Sequence, residues 1–444
     1  MYKKVWMLAS VIVCLGLSAC QSDQMPSQTT TQSEGEIQNV PRTEEIALPR
    51  SYDARLDGRA PKSGDQGSLG TCWAFASLKA LESSLLPEYP MEFSVDHMTM
   101  HNSFELGQDA GGEYTMSMAY LLAWQGPVRE EDDPYGDDIS PDGLRPCLHV
   151  QEIRILPEKD YEAIKRAVYT MGGVQSSLYT EIRNDGEETP YYQRDKNAYC
   201  YPEKQKPNHD SVIIGWDDDY PKENFGGEAS EDGAFLCLNS WGEDFGDQGY
   251  FYVSYSDANI GVNNISYTGI SFPKEGETIY QSDLCGWLGQ VGYGEETAWF
   301  ANAYTAKGIE RLSGAGFYAT MAQSSYEVYV SRHLENNGKN GLNDRQKVVQ
   351  GSLEEAGFYS VLPDREIVFD EGEKFAIIVK ITTPNAEHPV AVEYDAGDGL
   401  ARIDLTDGEG YLSYDGEQWE RVEETLACNI CLKVYTQKER STER

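Results

Sequence analysis

Residues 66–78 read QGSLGTCWAFASL, and the rest of the chain is organised around them. Cys72 stands between a glycine-marked turn (Gly67, Gly70) and an apolar pattern. Ala74, Leu78, Leu81 and Leu85 recur at spacings of three and four, as one helix face does, and Pro87 stops the pattern. A cysteine in that first turn faces the positive end of the helix dipole. There the thiolate is favoured over the thiol, and the thiolate is the nucleophile.

A thiolate that attacks an amide needs a base, a group to orient that base, and donors for the oxyanion. His209 supplies the base. It precedes an apolar strand pattern in NHDSVIIGW, residues 208–216. Asn239 ends another apolar run in LNSWG, residues 238–242, ahead of Gly246 and Gly249-Tyr250-Phe251. An amide oxygen there can hold an imidazole without carrying charge. Gln66 lies six residues before Cys72 and can place its side-chain amide beside the Cys72 backbone N–H. His97, His101, His149, His333 and His388 have no such context and read as surface or satisfied core.

Composition bounds the rest. The 444 residues carry 74 acidic against 36 basic side chains, a formal charge of -38. That charge repels phosphates, so nucleic acid is not an expected partner, and a solvated acidic surface is its plain meaning. Hydrophobics at 40% and aromatics at 11% indicate a folded chain. Apart from Cys14, Cys20 and Cys72, six cysteines remain: Cys147, Cys200, Cys237, Cys285, Cys428 and Cys431. An even number is compatible with disulfides in an exported protein, and the sequence does not choose among the pairings. Cys428 and Cys431 form a CxxC without the second pair or histidine that zinc requires. Asp217-Asp218-Asp219 reads as a charged turn, and Asp395 to Gly399 lacks a full calcium loop, so no metal or cofactor is expected.

Residues 1–19 read MYKKVWMLASVIVCLGLSA: two lysines, then an apolar run too short for a confident membrane span. The run ends in Leu17-Ser18-Ala19-Cys20, which resembles a bacterial lipoprotein signal. The resemblance implies cleavage before Cys20, acylation of it, and a lipid-anchored protein on the extracytoplasmic face of the cell membrane. Residues 20–47, rich in Gln, Ser and Thr, then form a flexible tether. From Leu48 the composition becomes globular. Helical patterns (Cys72 onward, Met116 to Trp124, Tyr161 to Met171) precede buried strands (Val212 to Trp216, Ala234 to Leu238, Tyr250 to Val253). That order is an α+β layout. After about Ser271 short β-rich segments follow one another between Asn, Gly and Asp clusters, as in a β-sandwich.

The blocks QGSLGTCWAFA, NHDSVIIGW and NSWGEDFGDQGYFYVS resemble the three signature blocks of papain-like cysteine peptidases. His209 follows Cys72 by 137 residues and Asn239 by 167; about 130–150 is usual, so the latter gap is slightly long. The resemblance covers 48–272. It implies a two-lobed fold, a helical lobe beside an antiparallel β lobe. It also implies Cys72 as nucleophile, His209 as acid and base, Asn239 as orienter and Gln66 as oxyanion donor. Trp241 is then the shield of the Asn–His hydrogen bond, and Gly111-Gly112 the pair whose backbone holds substrate as an added strand.

Three positions depart from that family pattern. Leu69 replaces a cysteine found in many relatives, and Asp109-Ala110 stand where its partner would be. Both halves of that bridge are missing together. Asp210 follows the histidine where a small residue is common, which predicts a basic preference in the pocket for the second residue before the cut. The 28 residues 20–47 are also too few for the family's long inhibitory pro-segment.

Residues 276–436, especially Trp299 to Tyr304 and Gly316 to Tyr318, look like the lectin-like domain that follows such peptidases in some anaerobic bacteria and archaea. The name implies a carbohydrate partner; a structural β-domain packed on the peptidase weighs equally. The expectation is thus an extracytoplasmic thiol endopeptidase acting on a peptide or protein. Two other readings stand beside it: a surface adhesin with an inactive peptidase domain, and a cell-wall peptidase or transpeptidase using the same site.

Overall fold

A computed structural model describes residues 46–182, 189–332, 334, 341–407 and 409–439, and the backbone alone of 6–9 and 36–37. The expected acylation site, Cys20, lies outside the described residues, as does most of the expected leader and tether. Among the described residues no helix is long and apolar enough to cross a membrane.

Helix α1 spans Cys72–Leu85, where the apolar spacing places it. It is buried nearly all round, not on one face. The small residues Ala76, Ser77, Ala80, Ser83 and Ser84 on its other faces make this packing feasible. Buried Leu78, Leu81 and Leu85 contribute about 1.5–3 kcal/mol each. Glu82 is buried too, held by Lys79 at 2.8 Å and by the Phe93 N–H at 3.0 Å. Helices α2 (Val95–Met100) and α3 (Tyr114–Leu122) pack against α1. Helix α4 (Tyr161–Thr170) is capped by Asp160, which accepts the Ala163 N–H at 3.0 Å.

The N-terminal domain's main strands are β1 (His149–Leu156), β2 (Val174–Leu178), β3 (His209–Asp217), β4 (Ala234–Leu238), β5 (Tyr250–Ser254) and β6 (Val262–Ser271). They pair in the order β1-β6-β2-β3-β4-β5, all antiparallel. Apolar patterning predicts β3, β4 and β5 and is silent on β2 and β6. These two are buried yet polar. Ser176 donates to Asn264 Oδ1 at 2.8 Å, and Tyr267 to Gln175 Oε1 at 2.7 Å. Internal partners replace water there, so hydrophobicity does not mark the strands.

In the C-terminal domain, β7 (Glu277–Tyr280), β8 (Thr297–Thr305), β9 (Glu310–Ala319), β10 (Ser324–Arg332), β11 (Arg345–Leu353), β12 (Ala356–Val361), β13 (Lys374–Thr382), β14 (Gly410–Ser413), β15 (Trp419–Arg421) and β16 (Leu432–Lys438) build a sandwich. One layer is β11-β10-β13-β8-β14-β15 and the other β7-β16-β9-β12. Phe300, Phe317, Phe375, Ile377, Leu412 and Val434 fill the space between.

The second layer does not stop at the domain boundary. Strand β12 pairs with β1, Gly357 opposite Arg154 and Phe358 opposite Ile153. A Cβ on Gly357 would lie 2.1 Å from Ile153 O, so glycine lets the strands join. Trp287, Tyr318, Phe358, Ala391 and Cys431 share one core with Leu81, Leu121 and Ile153. The expected appendage is therefore continuous with the N-terminal domain in both sheet and core.

All seven described cysteines are free. The disulfides that six of them allowed do not form. Cys200, Cys237, Cys285, Cys428 and Cys431 are each buried and pack as small apolar side chains.

Candidate active site

The two lobes leave a cleft of about 800 Å³. Gln66 to Gly70, Cys72, Gly111 and Gly112 line one wall; Tyr179 to Ile182, Thr189, Pro190, Asn208, His209 and Trp241 line the other. The structure thus brings together Cys72, His209, Gln66, Gly111, Gly112 and Trp241 on one concave surface, with Asn239 directly behind His209.

Cys72 is the first residue of α1, and Thr71 caps it without a side-chain bond. Thr71 O takes the Ala74 and Phe75 N–H groups at 3.0 and 3.1 Å. The earlier N–H groups of Cys72 and Trp73 bear on the sulfur instead. The resting thiol is nevertheless not the low-pKa group that its helix position suggests. Burial, then the nearby Asp210 charge, push it up to about 12. The helix dipole, worth at most about 2 kcal/mol, loses to desolvation.

His209 opens β3 and is buried, which pulls its pKa down to about 4. Its Nε2 donates to Asn239 Oδ1 at 2.7 Å. The Trp241 ring lies 4.9 Å from the imidazole at 33°, backed by Phe245 at 5.0 Å. Apolar rings thereby keep water from the His–Asn bond.

Gln66 is fixed from three sides. Its backbone N–H donates to Ser240 O at 2.8 Å, and its Oε1 accepts the Ser240 hydroxyl at 2.6 Å. Its Nε2 donates to Leu69 O at 2.7 Å, leaving one amide hydrogen for the cleft. Gln66 and Cys72 line the same wall of the cleft.

Glycine is required on the Cys72 side of the cleft. A Cβ on Gly70 would meet Gly111 Cα at 2.7 Å, and one on Gly112 would meet Trp73 Nε1 at 2.4 Å. Gly111 also holds φ at 79°. The backbone there stays bare beside the nucleophile.

Asp210 corrects an expectation. It does not line the cleft. Its carboxylate accepts Ser177 Oγ at 2.5 Å and Gln175 Nε2 at 3.3 Å, beneath the wall. Successive strand residues face opposite ways, so His209 in the cleft sends Asp210 inward. Burial raises its pKa.

Sequence reasoning missed Ser240 and the Tyr179 to Ile182 wall. A signal for Ser240 was present: it is the hydroxyl beside Asn239 at the end of a buried strand. The 179–182 segment carries no motif. Asn208 shapes it, with Nδ2 donating to Thr180 O at 3.0 Å and Oδ1 accepting the Thr180 N–H at 2.8 Å.

Comparison with known proteins agrees with this geometry. Residues 48–270 match the papain family cysteine protease model, and residues 279–436 match the lectin like domain model. Cathepsin L of Sarcophaga peregrina is 26% identical over 228 residues, which are 48% of this chain and 61% of that protein. Cathepsin K of Mus musculus is 25% identical over 236 residues, 51% of this chain and 65% of the relative. The chain thus spans under two thirds of these curated relatives. The solved cysteine protease and lectin-like domains of Cwp84, a surface layer associated protein of Clostridium difficile, superpose with a TM-score of 0.79 at 26% identity. That likeness covers 89% of this chain and 90% of the other.

Proposed function

The chain belongs to the papain family of cysteine proteases and carries a lectin-like domain, and from this we propose an extracytoplasmic thiol endopeptidase working through a cysteine acyl-enzyme. The observation that carries the reading is one cleft uniting Cys72 at a helix start, the His209–Asn239 pair and the tethered Gln66 amide.

The substrate backbone lies along Gly111-Gly112 as an added strand. Cys72 Sγ attacks the carbonyl carbon as its proton passes to His209. The oxyanion takes the Gln66 amide hydrogen and the Cys72 N–H. His209, now imidazolium and held by Asn239, protonates the leaving amine, and the C–N bond breaks. Water then enters, gives a proton to His209, and its oxygen displaces the thiolate, which recovers the proton.

Location follows from Leu17-Ser18-Ala19-Cys20, read as a lipid-anchoring signal. The surface-layer association of Cwp84 supports an outward-facing protein. The anchor is tested by metabolic labelling with palmitate, expected in the wild type and lost in Cys20→Ala. The lectin-like domain is the place to look for a carbohydrate partner. Assembly of all four site residues disfavours an inactive adhesin. A transpeptidase would give amine-capped products by mass spectrometry when amines are added, where a hydrolase gives free acids.

The deciding experiment profiles a peptide library with wild type and Cys72→Ala. Cleavage by the first and none by the second is expected. Equal cleavage by both overturns the reading.

A further inference from the structure

The wall that carries Gly111-Gly112 is held from the other domain. The segment 102–105 leads into it, and the loop 400–402 of the C-terminal domain lies antiparallel alongside. The Glu105 N–H donates to Leu400 O at 2.8 Å, and the Arg402 N–H to Ser103 O at 3.0 Å, with Phe104 opposite Ala401. Arg402 Nη2 donates to Asn102 O, and its Nε pairs with Glu105 at 3.1 Å. Cys285 Sγ adds a contact to Ser103 O at 3.3 Å.

Past this clamp the chain has only Leu106 and Gly107 before a single 3-10 turn, Gln108–Ala110. Gln108 is the second anchor. Its carbonyl accepts the Gly70 N–H at 2.9 Å, and its Nε2 reaches Asp96 Oδ1 at 2.7 Å and Thr99 Oγ1 at 2.8 Å. Gly111 follows at once, packed on Gly70. A strap this short, fixed at both ends, transmits its position to the glycine pair. Released from 400–402, it keeps the anchor at Gln108, the bond from Gln125 Nε2 to Ser103 Oγ at 2.7 Å and the packing of Phe104 and Leu106 on the core, but loses its backbone pairing.

We propose that Leu400 to Arg402 of the lectin-like domain are positioning residues for the Gly111-Gly112 wall. The C-terminal domain then takes part in substrate binding by shaping the cleft, whatever carbohydrate it meets. This rests on the peptidase reading for its kinetic consequence, and on geometry alone for its structural one. The loop is a suitable lever because Leu400 is 41% exposed and outside the core.

Two variants test it: Arg402→Ala, and the triple Leu400→Gly, Ala401→Gly, Arg402→Gly. Hydrogen exchange reads the wall without catalysis. Amides of 106–113 are expected to exchange at least about tenfold faster in the triple variant, with α1 unchanged. In steady state KM for a peptide rises about tenfold with kcat held, and labelling of Cys72 by a peptidyl epoxide slows equally. Alkylation of Cys72 by iodoacetamide, which needs no wall, stays as in wild type. Arg402→Lys restores part of the loss that Arg402→Ala causes. Unchanged exchange at 106–113 overturns the proposal, as does a joint fall of kcat, KM effect and iodoacetamide rate, which marks general unfolding. A wild type inert to peptide and epoxide overturns the peptidase reading instead, and exchange still decides the clamp.

Discussion

Asn239 Oδ1 accepts two hydrogen bonds, from His209 Nε2 at 2.7 Å and from the Ser240 N–H at 2.8 Å. A backbone N–H can only donate, so it is the amide oxygen that faces the ring. His209 Nε2 therefore carries its proton, and Nδ1 is left as the base. One peptide group thus sets the tautomer that the proposed acyl transfer uses.

Replacing Asn239 by Ala releases the imidazole and frees its tautomer. A misplaced base costs about 10²-fold, and the loss should fall on kcat with KM nearly unchanged. Steady-state kinetics on a fluorogenic peptide checks this; an unaltered kcat would remove Asn239 from the mechanism.

The pH profile has a definite sign. His209 works unprotonated, and burial lowers its pKa from 6.5 to about 4. Activity should persist through mildly acid pH and fall as pH drops through about 4. Stability has the same direction. The unfolded histidine binds a proton below 6.5 and the folded one only near 4, so stability is lost as pH falls across that window. The Asn239 bond raises the value, so Asn239→Ala should move the acid limb lower still. A wild-type limb at the ordinary histidine value would contradict the burial argument.

Gln66→Ala removes the proposed oxyanion donor and should lower kcat by about 10²–10³. Ser240→Ala removes only the 2.6 Å bond that holds the amide, and should cost about fivefold. Pre-steady-state acylation rates give both values. Equal losses would mean that Ser240 acts on more than Gln66.

Gly112→Ala forces a methyl into Trp73. Overpacking of this kind costs about 1–3 kcal/mol, and here it moves the wall beside the nucleophile. A raised KM with a lowered melting temperature is expected. Wild-type KM in this variant would show that the wall tolerates a side chain.

Asp210→Asn should leave the choice between Arg and Leu at the second residue before the cut unchanged, since the carboxylate points to Ser177 and Gln175. It should also ease ionisation of Cys72, whose pKa the Asp210 charge raises. Library profiling and the pH dependence of iodoacetamide alkylation read the two effects. A lost preference for Arg would place the carboxylate in the cleft after all.

The helix α1 and the strands β3 to β5 are legible in sequence because each carries a local pattern, and the structure gathers Gln66, Cys72, His209 and Asn239 at one cleft. What stays hidden has physical reasons. Strands β2 and β6 bury Gln175, Ser176 and Asn264 against one another, so hydrophobicity says nothing of them. Asp210 reads as a pocket residue from its neighbour, and only strand alternation turns it inward. The high thiol pKa of Cys72 depends on burial by distant segments. The join of β12 to β1 spans some 200 residues of sequence, beyond the reach of any periodicity.

The central claim is that Cys72, in the cleft with His209, is the one nucleophile. Intact-mass and peptide-level mass spectrometry after exposure to a peptidyl epoxide tests it most directly. One adduct per chain is expected, located on Cys72, forming in step with loss of peptide hydrolysis and absent from Cys72→Ala. An adduct on another cysteine, or hydrolysis that survives complete labelling of Cys72, would contradict it.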